Sequence, residues 1–316
     1  METGLVSCEW LKAELEREGA GKVHVVDSTW YLPNSPFAVP EGCSGAQAAF
    51  SAGPRLPGSV FFDVDAVSSQ HPMGLPHMLP NEETFSAAMA ALGIEPDARV
   101  VVYDRHGVFS APRFWYTLKV AFGHQGDVAV LDGGLPRWLE LGFLVEEGEA
   151  APPPPPAKIA EWKRVLGSSW DVDQVRANID SRAVALVDAR PGPRFLGLAP
   201  EPRAGMRGGH IPGSLSVPFL DLLTSPKGQM KPRDELDRRL REATIAVDEL
   251  TKPGELCVVS SCGSGLTACI VGLALHQLGM PLSRWGVYDG SWSEWGAIKD
   301  TPIMKQGADG SEEPVP

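Results

Sequence analysis

Short apolar runs rich in β-branched residues recur along this chain, separated by longer stretches that read as helices. Val25-Val26-Asp27-Ser28, Val100-Val101-Val102-Tyr103-Asp104, Leu186-Val187-Asp188-Ala189 and Cys257-Val258-Val259-Ser260-Ser261 are runs of the first kind. Glu235 to Glu242 and Ala268 to Leu278 are stretches of the second. Alternation of the two predicts an α/β fold with a mostly parallel sheet flanked by helices. Sheets of this type take their ligands at the carboxyl ends of the strands.

The pattern occurs twice. Val25-Val26-Asp27-Ser28 answers to Leu186-Val187-Asp188-Ala189, and Pro57-Gly58-Ser59-Val60 to Pro212-Gly213-Ser214-Leu215. The run ending at Asp104 answers to the run before Cys262, and Leu131-Asp132-Gly133-Gly134 with Trp138 answers to Tyr288-Asp289-Gly290-Ser291 with Trp295. The separations are 161, 155, 158 and 157 residues, too steady for coincidence, so the chain reads as a duplicated domain. Between the copies lies Ala151-Pro152-Pro153-Pro154-Pro155-Pro156-Ala157, which cannot continue a helix or donate to a sheet and predicts an extended connector. The expected division is residues 1–149, a linker over 150–164, a second domain over 165–304, and a flexible tail over 305–316, whose Gly, Glu and Pro content suits disorder.

One strand end carries chemistry. The run closing at Ser261 leads into Cys262-Gly263-Ser264-Gly265-Leu266-Thr267 and then into the apolar stretch from Ala268. A loop opening a helix gathers backbone N–H groups where the macrodipole favours negative charge, so a thiolate there is expected to be stabilised, its pKa lowered and its reactivity raised. Two glycines let the backbone curl around a central sulfur or oxygen. The plainer alternative is a buried cysteine packing as a small hydrophobe. In the first copy Asp104, followed by Arg105-His106-Gly107, stands where the second has Cys262. That copy is expected to have kept the fold and lost this activity, serving as a wall or lid.

Composition narrows the partners. The 316 residues carry a net charge of −12 and no block of Lys or Arg, which argues against nucleic acid and anionic membranes while leaving room for a local positive pocket. No apolar run approaches the roughly 18 residues of a membrane span. The beginning of the chain has neither the basic start nor the apolar stretch of a signal peptide, and Glu14, Glu16 and Glu18 oppose a transit peptide, so a cytoplasmic location is expected, with a mitochondrial form left open. Five cysteines without metal-type pairing fit reduced thiols, and no metal site is expected.

Further motifs resemble a known family, the tandem-domain rhodanese-like sulfurtransferases. They are Phe61-Phe62-Asp63-Val64-Asp65, His77-Met78-Leu79-Pro80, Asp188-Ala189-Arg190 running to Arg194-Phe195, Gly209-His210-Ile211-Pro212-Gly213-Ser214, the Cys262 loop, and Val287-Tyr288-Asp289-Gly290-Ser291-Trp292-Ser293-Glu294-Trp295. The resemblance covers the chain from Leu5 to Ile303. Thiosulfate-preferring members carry basic side chains directly after the cysteine. The uncharged Gly263-Ser264-Gly265 is similar to the mercaptopyruvate branch instead.

The resemblance implies that Cys262 is the nucleophile, that Arg194 and Arg203 bind the carboxylate of 3-mercaptopyruvate, and that Gly263, Gly265, Leu266 and Thr267 line the cradle. Arginine suits a carboxylate because its planar fork binds both oxygens. It also implies a proton relay of Ser264, His77 and Asp65, with His71 as a nearby alternative to His77, and places catalysis where the two copies meet. Arg190 is expected to pair structurally with a carboxylate, and His210 to be structural. The expected cycle forms a Cys262 persulfide, releases pyruvate, and passes sulfur to cyanide or to thiol acceptors such as thioredoxin-like proteins, leading with thiols to hydrogen sulfide. No cofactor is required, since the cysteine carries the transferred group.

Three rivals remain at this point. A phosphatase would want an arginine at the sixth residue after the cysteine, where Ala268 stands. A non-catalytic persulfide carrier would release no pyruvate. A rhodanese proper would prefer thiosulfate.

Overall fold

The computed structural model describes residues 4–17, 23–33, 35, 37–152, 155–250, 252, 254 and 257–315, so Pro153 and Pro154 of the expected connector lie outside the described residues. The chain divides into two compact units. The first comprises Met1–Ser69, Leu79–Val165 and Leu223–Met230, and the second Gln70–Met78, Leu166–Leu222 and Lys231–Pro316.

The first unit holds a five-stranded parallel sheet of β1 (Leu5–Val6), β2 (Val23–Asp27), β3 (Val60–Phe61), β4 (Arg99–Tyr103) and β5 (Val128–Leu131), in the order β1-β5-β4-β2-β3. The second holds β6 (Ser169–Trp170), β7 (Ala185–Asp188), β8 (Leu215–Ser216), β9 (Val258–Ser261) and β10 (Trp285–Tyr288), in the order β6-β10-β9-β7-β8. The two orders are the same permutation, which is the structural form of the sequence repeat. Register carries over as well. Asp27 lies opposite Tyr103, one residue before Asp104, and Asp188 lies opposite Ser261, one residue before Cys262.

β9 is buried along its whole length, as a central strand covered by helices should be. The helix Ala268–Gln277 is buried from Ala268 through Leu275, and its Gly272 is pressed against the Trp285 ring, where a Cβ would stand 2.0 Å from Cζ2. Trp285 is itself held by Nε1 donating to Ser260 Oγ at 2.9 Å. Helix and sheet are thereby locked directly behind the cysteine loop. Among the described residues no helix is long and apolar enough to cross a membrane.

Two expectations about connecting segments change. The proline-rich linker runs into a stretch fastened to the first unit, with Trp162 buried against Phe85 and His124 and Arg164 Nη2 donating to the carbonyls of Leu79 and Pro80 at 2.9 Å. The expected flexible tail is instead a hairpin, β11 (Met304–Gln306) pairing antiparallel with β12 (Glu312–Pro314). It is anchored by Gln306 N donating to Leu196 O at 2.9 Å, by Lys305 with Glu313 at 3.1 Å, and by His210 Nε2 with Glu312 at 3.2 Å. Composition suggested disorder because the segment has little to bury; backbone pairing and ion pairs supply the order instead.

Candidate active site

Cys262 stands at the carboxyl end of β9 and is 2% exposed. The helix Ser291–Trp295, packed beside it, holds the first two residues of the loop. Ser291 Oγ accepts from Cys262 N at 3.2 Å while donating to Tyr288 O at 2.8 Å. Trp292 N donates to Cys262 O at 3.0 Å, and Ser293 donates to Gly263 O twice, from its N at 2.9 Å and its Oγ at 2.6 Å. A trans peptide points its N–H opposite its C=O. Fixing the Cys262 and Gly263 carbonyls toward this helix therefore turns the amides of Gly263 and Ser264 away from it. Among the described residues, the N–H groups of Gly263, Ser264, Leu266 and Thr267 meet no hydrogen-bond acceptor. Gly265 has φ +77, a conformation that suits glycine.

The first unit shows what such a loop holds. Asp104 Oδ1 accepts from His106 N at 2.8 Å, and Oδ2 accepts from the amides of Phe109, Ser110 and Ala111 at 2.8 to 2.9 Å. The residue replacing the cysteine thus folds its carboxylate onto N–H groups of its own loop and of the start of the helix that follows. Arg105, the next residue, places Nε 3.3 Å from Asp27 Oδ2. Burial pushes the Asp27 carboxyl up, against the opposing pull of Arg105 and Thr29. The loop of the first copy is filled by its own side chains.

In the second unit two guanidinium groups converge on the cysteine loop. Arg194 lies against Gly263, with Nη2 3.5 Å from where a Cβ would be. Its Nε donates to Glu201 Oε2 at 3.2 Å and its Nη2 reaches the same oxygen. Arg203 Nη1 donates to Ser293 Oγ at 3.0 Å, and that hydroxyl is the one bound to Gly263 O. The Glu201 carboxylate, 1% exposed, also accepts from Arg190 Nη1 at 2.8 Å. Arg190 is fully engaged: it forks onto Asp188, donates to Gly209 O at 2.7 Å and stacks over Trp292 at 3.9 Å. It is the paired structural arginine expected, whereas the Arg194 side chain remains 18% exposed.

His77 belongs to the second unit, although it comes from the first copy of the sequence. It is 1% exposed, holds φ +61, and places Nδ1 2.9 Å from Ser264 Oγ. A histidine kept in the left-handed region signals a position fixed by its surroundings. His71 faces elsewhere, its Nε2 4.0 Å from Glu294 Oε1, and Glu294 Oε2 accepts from Tyr288 OH at 2.8 Å. Burial pushes the Glu294 carboxyl above its ordinary range, with Tyr288 and His71 pulling the other way. Asp65 lies in the first unit, where its Oδ2 accepts from Trp30 Nε1 at 2.9 Å.

Cys257, Cys269 and His210 are held by packing and hydrogen bonds. All five thiols are unbridged. Cys269 is buried, with Sγ 3.4 Å from Gly265 O, and half-buried Cys257 has Sγ 3.5 Å from Arg284 O. Burial pushes the Cys8 thiol up to about 12. His210 stacks on Phe195 at 3.9 Å and bonds its carbonyl through Nδ1 at 2.8 Å. Its counterpart in the first copy, Arg55, donates to the carbonyls of Gly148 and Glu149.

Sequence reasoning missed Ser291, Ser293 and Glu201, the groups that hold the loop and the arginines. One signal was available for Ser291. Its repeat partner is Gly134 with φ +50, and Ser291 keeps φ +51 despite its side chain, a strain that the bond to Cys262 N offsets.

A family model described as the Rhodanese-like domain matches residues 7–141 and again 171–298. A 3-mercaptopyruvate sulfurtransferase of Escherichia coli K12 is 38% identical over 301 residues, covering 95% of this chain and 98% of the relative. The human 3-mercaptopyruvate sulfurtransferase is 36% identical over 297 residues, covering 92% and 91%. A thiosulfate/3-mercaptopyruvate sulfurtransferase 1, mitochondrial, of Arabidopsis thaliana is 39% identical over 317 residues, covering 95% of this chain and 77% of the relative. Among solved structures, the SseA 3-mercaptopyruvate sulfurtransferase of Escherichia coli superposes with a TM-score of 0.73 at 33% identity, covering 92% of this chain and 99% of that one. The Tum1 protein of Saccharomyces cerevisiae superposes with a TM-score of 0.78 at 31% identity, covering 93% and 95%.

Proposed function

We propose that this chain, which belongs to the rhodanese-like family and is a sulfur-group transferase, moves the sulfur of 3-mercaptopyruvate through a Cys262 persulfide to a thiol acceptor or cyanide. The observation that carries the reading is the approach of Arg194 and of Arg203, through Ser293, to Gly263, the residue after the cysteine. Two guanidinium groups beside one nucleophile suit a small donor with a carboxylate at one end and a transferable sulfur at the other.

In the first half-reaction the Cys262 thiolate attacks the donor sulfur. The C3–S bond breaks with its electron pair passing to C3, and the enolate so formed takes up a proton there and leaves as pyruvate. The donor thiol gives up its proton through Ser264 to His77, which lies within hydrogen-bond reach of it. Asp65 keeps, on the resemblance alone, the role of the carboxylate that orients the imidazole. The outer sulfur of the persulfide, an anion, is cradled by the N–H groups of residues 263 to 267 at the start of the helix. In the second half-reaction an acceptor thiolate or cyanide attacks that outer sulfur and returns Cys262 as the thiolate. Thioredoxin-like proteins suit the acceptor role, and with thiols the product persulfide leads on to hydrogen sulfide.

A second donor, thiosulfate, is favoured by the name of the Arabidopsis relative and opposed by the uncharged Gly263-Ser264-Gly265. The deciding experiment follows pyruvate release from 3-mercaptopyruvate, with thiosulfate in parallel, for the wild type and Cys262→Ser. Turnover that drops to background in the variant and is much weaker with thiosulfate supports the proposal. Faster transfer from thiosulfate would make the chain a rhodanese in substrate preference, and pyruvate release surviving in Cys262→Ser would remove the nucleophile.

A further inference from the structure

We propose that Ser293 is a positioning residue of the sulfur-transfer site, a single hydroxyl that ties the carboxylate-binding Arg203 to the peptide following the nucleophile. The inference rests on the reading of Arg203 given above. A serine hydroxyl has one proton and two lone pairs. The proton of Ser293 goes to Gly263 O at 2.6 Å and a lone pair takes Arg203 Nη1–H at 3.0 Å, so each bond sets the orientation of the other. Ser293 is 6% exposed, which keeps water from substituting readily for either partner.

The consequence for the loop follows from peptide geometry. The Gly263 carbonyl receives two donors from one residue, Ser293 N at 2.9 Å and Ser293 Oγ at 2.6 Å. Holding that oxygen toward the helix Ser291–Trp295 holds the Ser264 N–H toward the opposite side of the loop, the orientation an anion on Cys262 needs. Arg203 reaches the nucleophile loop through the same hydroxyl. Donor recognition and cradle orientation are thereby set together, and the contact has no counterpart in the first copy, where position 136 is Pro and residue 105 carries a side chain pointed at Asp27.

Alkylation of Cys262 by iodoacetate and by iodoacetamide tests this without any sulfur donor. One reagent carries a carboxylate and the other does not, so the ratio of their rates, followed by mass spectrometry of the Cys262 peptide, reports carboxylate recognition beside the sulfur. Ser293→Ala is expected to lower the ratio about ten- to hundredfold, the loss of one hydrogen bond to a charged group. Arg203→Ala lowers it similarly, and the double variant lowers it no further. Ser293→Thr, which keeps the hydroxyl, retains the ratio. Ser293→Cys, near in size but a poor acceptor, reads the same loss without the gap left by alanine. In turnover, Ser293→Ala raises KM for 3-mercaptopyruvate more than it lowers kcat. An unchanged ratio in both Ser293→Ala and Ser293→Cys, or effects of Ser293→Ala and Arg203→Ala that multiply independently, would overturn the proposal. A wild type that turns over neither donor would sink the functional reading and leave the alkylation result standing.

Discussion

Glu294 illustrates how much a single buried carboxylate can report. It is 8% exposed, accepts from Tyr288 OH and faces His71, and burial pushes its pKa above the ordinary carboxylate value. A carboxyl raised in the folded state binds its proton more tightly there than in the unfolded chain. Its contribution to stability is therefore complete below the ordinary carboxylate range and is lost as pH rises through the raised value. Glu294→Gln keeps an acceptor for Tyr288 and cannot ionise, so the variant gains on the wild type as pH rises from about 4 to 8. Thermal midpoints of both proteins across that range check the sign, and parallel curves would show that Glu294 titrates normally. Ser291 makes a related point without titration, since its strained φ persists because the side chain holds Cys262 N.

Among the elements, the strand, loop and helix at 258–277 depend on close packing behind the loop. The apolar helix Ala268–Gln277 is buried on nearly all sides, and only glycine at 272 lets it reach the Trp285 ring. Gly272→Ala brings a methyl into an indole held by its bond to Ser260, so the helix or the ring must shift. A loss of about 1–3 kcal/mol is expected in denaturant unfolding, despite the better helix propensity of alanine. A neutral or stabilising result would mean that the helix and sheet are not locked there. The short helix Ser291–Trp295 contributes differently: its Ser291, Trp292 and Ser293 hold the cysteine loop, and the Trp292 ring lies under Arg190.

For the whole molecule, duplication produced two copies of one topology with opposite fates. In the second unit the cysteine loop meets Arg194 and Arg203; in the first, the Asp104 carboxylate takes the loop amides and Arg105 turns onto Asp27. Restoring the cysteine should therefore not restore transfer. Asp104→Cys in a Cys262→Ser background is expected to release no pyruvate from 3-mercaptopyruvate, because position 105 carries an arginine turned onto Asp27 and Pro136 stands where Ser293 ties Arg203 to the cysteine loop. It should also be less stable than Cys262→Ser alone, since a thiol replaces a carboxylate that accepts four backbone amides, a cost of about 1–3 kcal/mol. Pyruvate release from the double variant would show that the cysteine alone decides which copy works.

The amino-acid sequence by itself determined the repeat, the α/β class and the strand ends, and it offered the Cys262 loop as a candidate site. These are readable because strand burial and helical spacing write their periods locally, and because Cys262-Gly263-Ser264-Gly265 is contiguous. It also marked Arg190 and His210 as structural. Only the tertiary structure decided which groups hold that site: Glu201 between Arg190 and Arg194, Ser293 between Arg203 and Gly263, and His77 rather than His71 against Ser264. It likewise turned an apparent tail into a hairpin. The reason is one of range. Hydrogen bonds between residues such as 203 and 293, or 77 and 264, leave no period along the chain, and a serine that orients a peptide has the same letter as one that faces water.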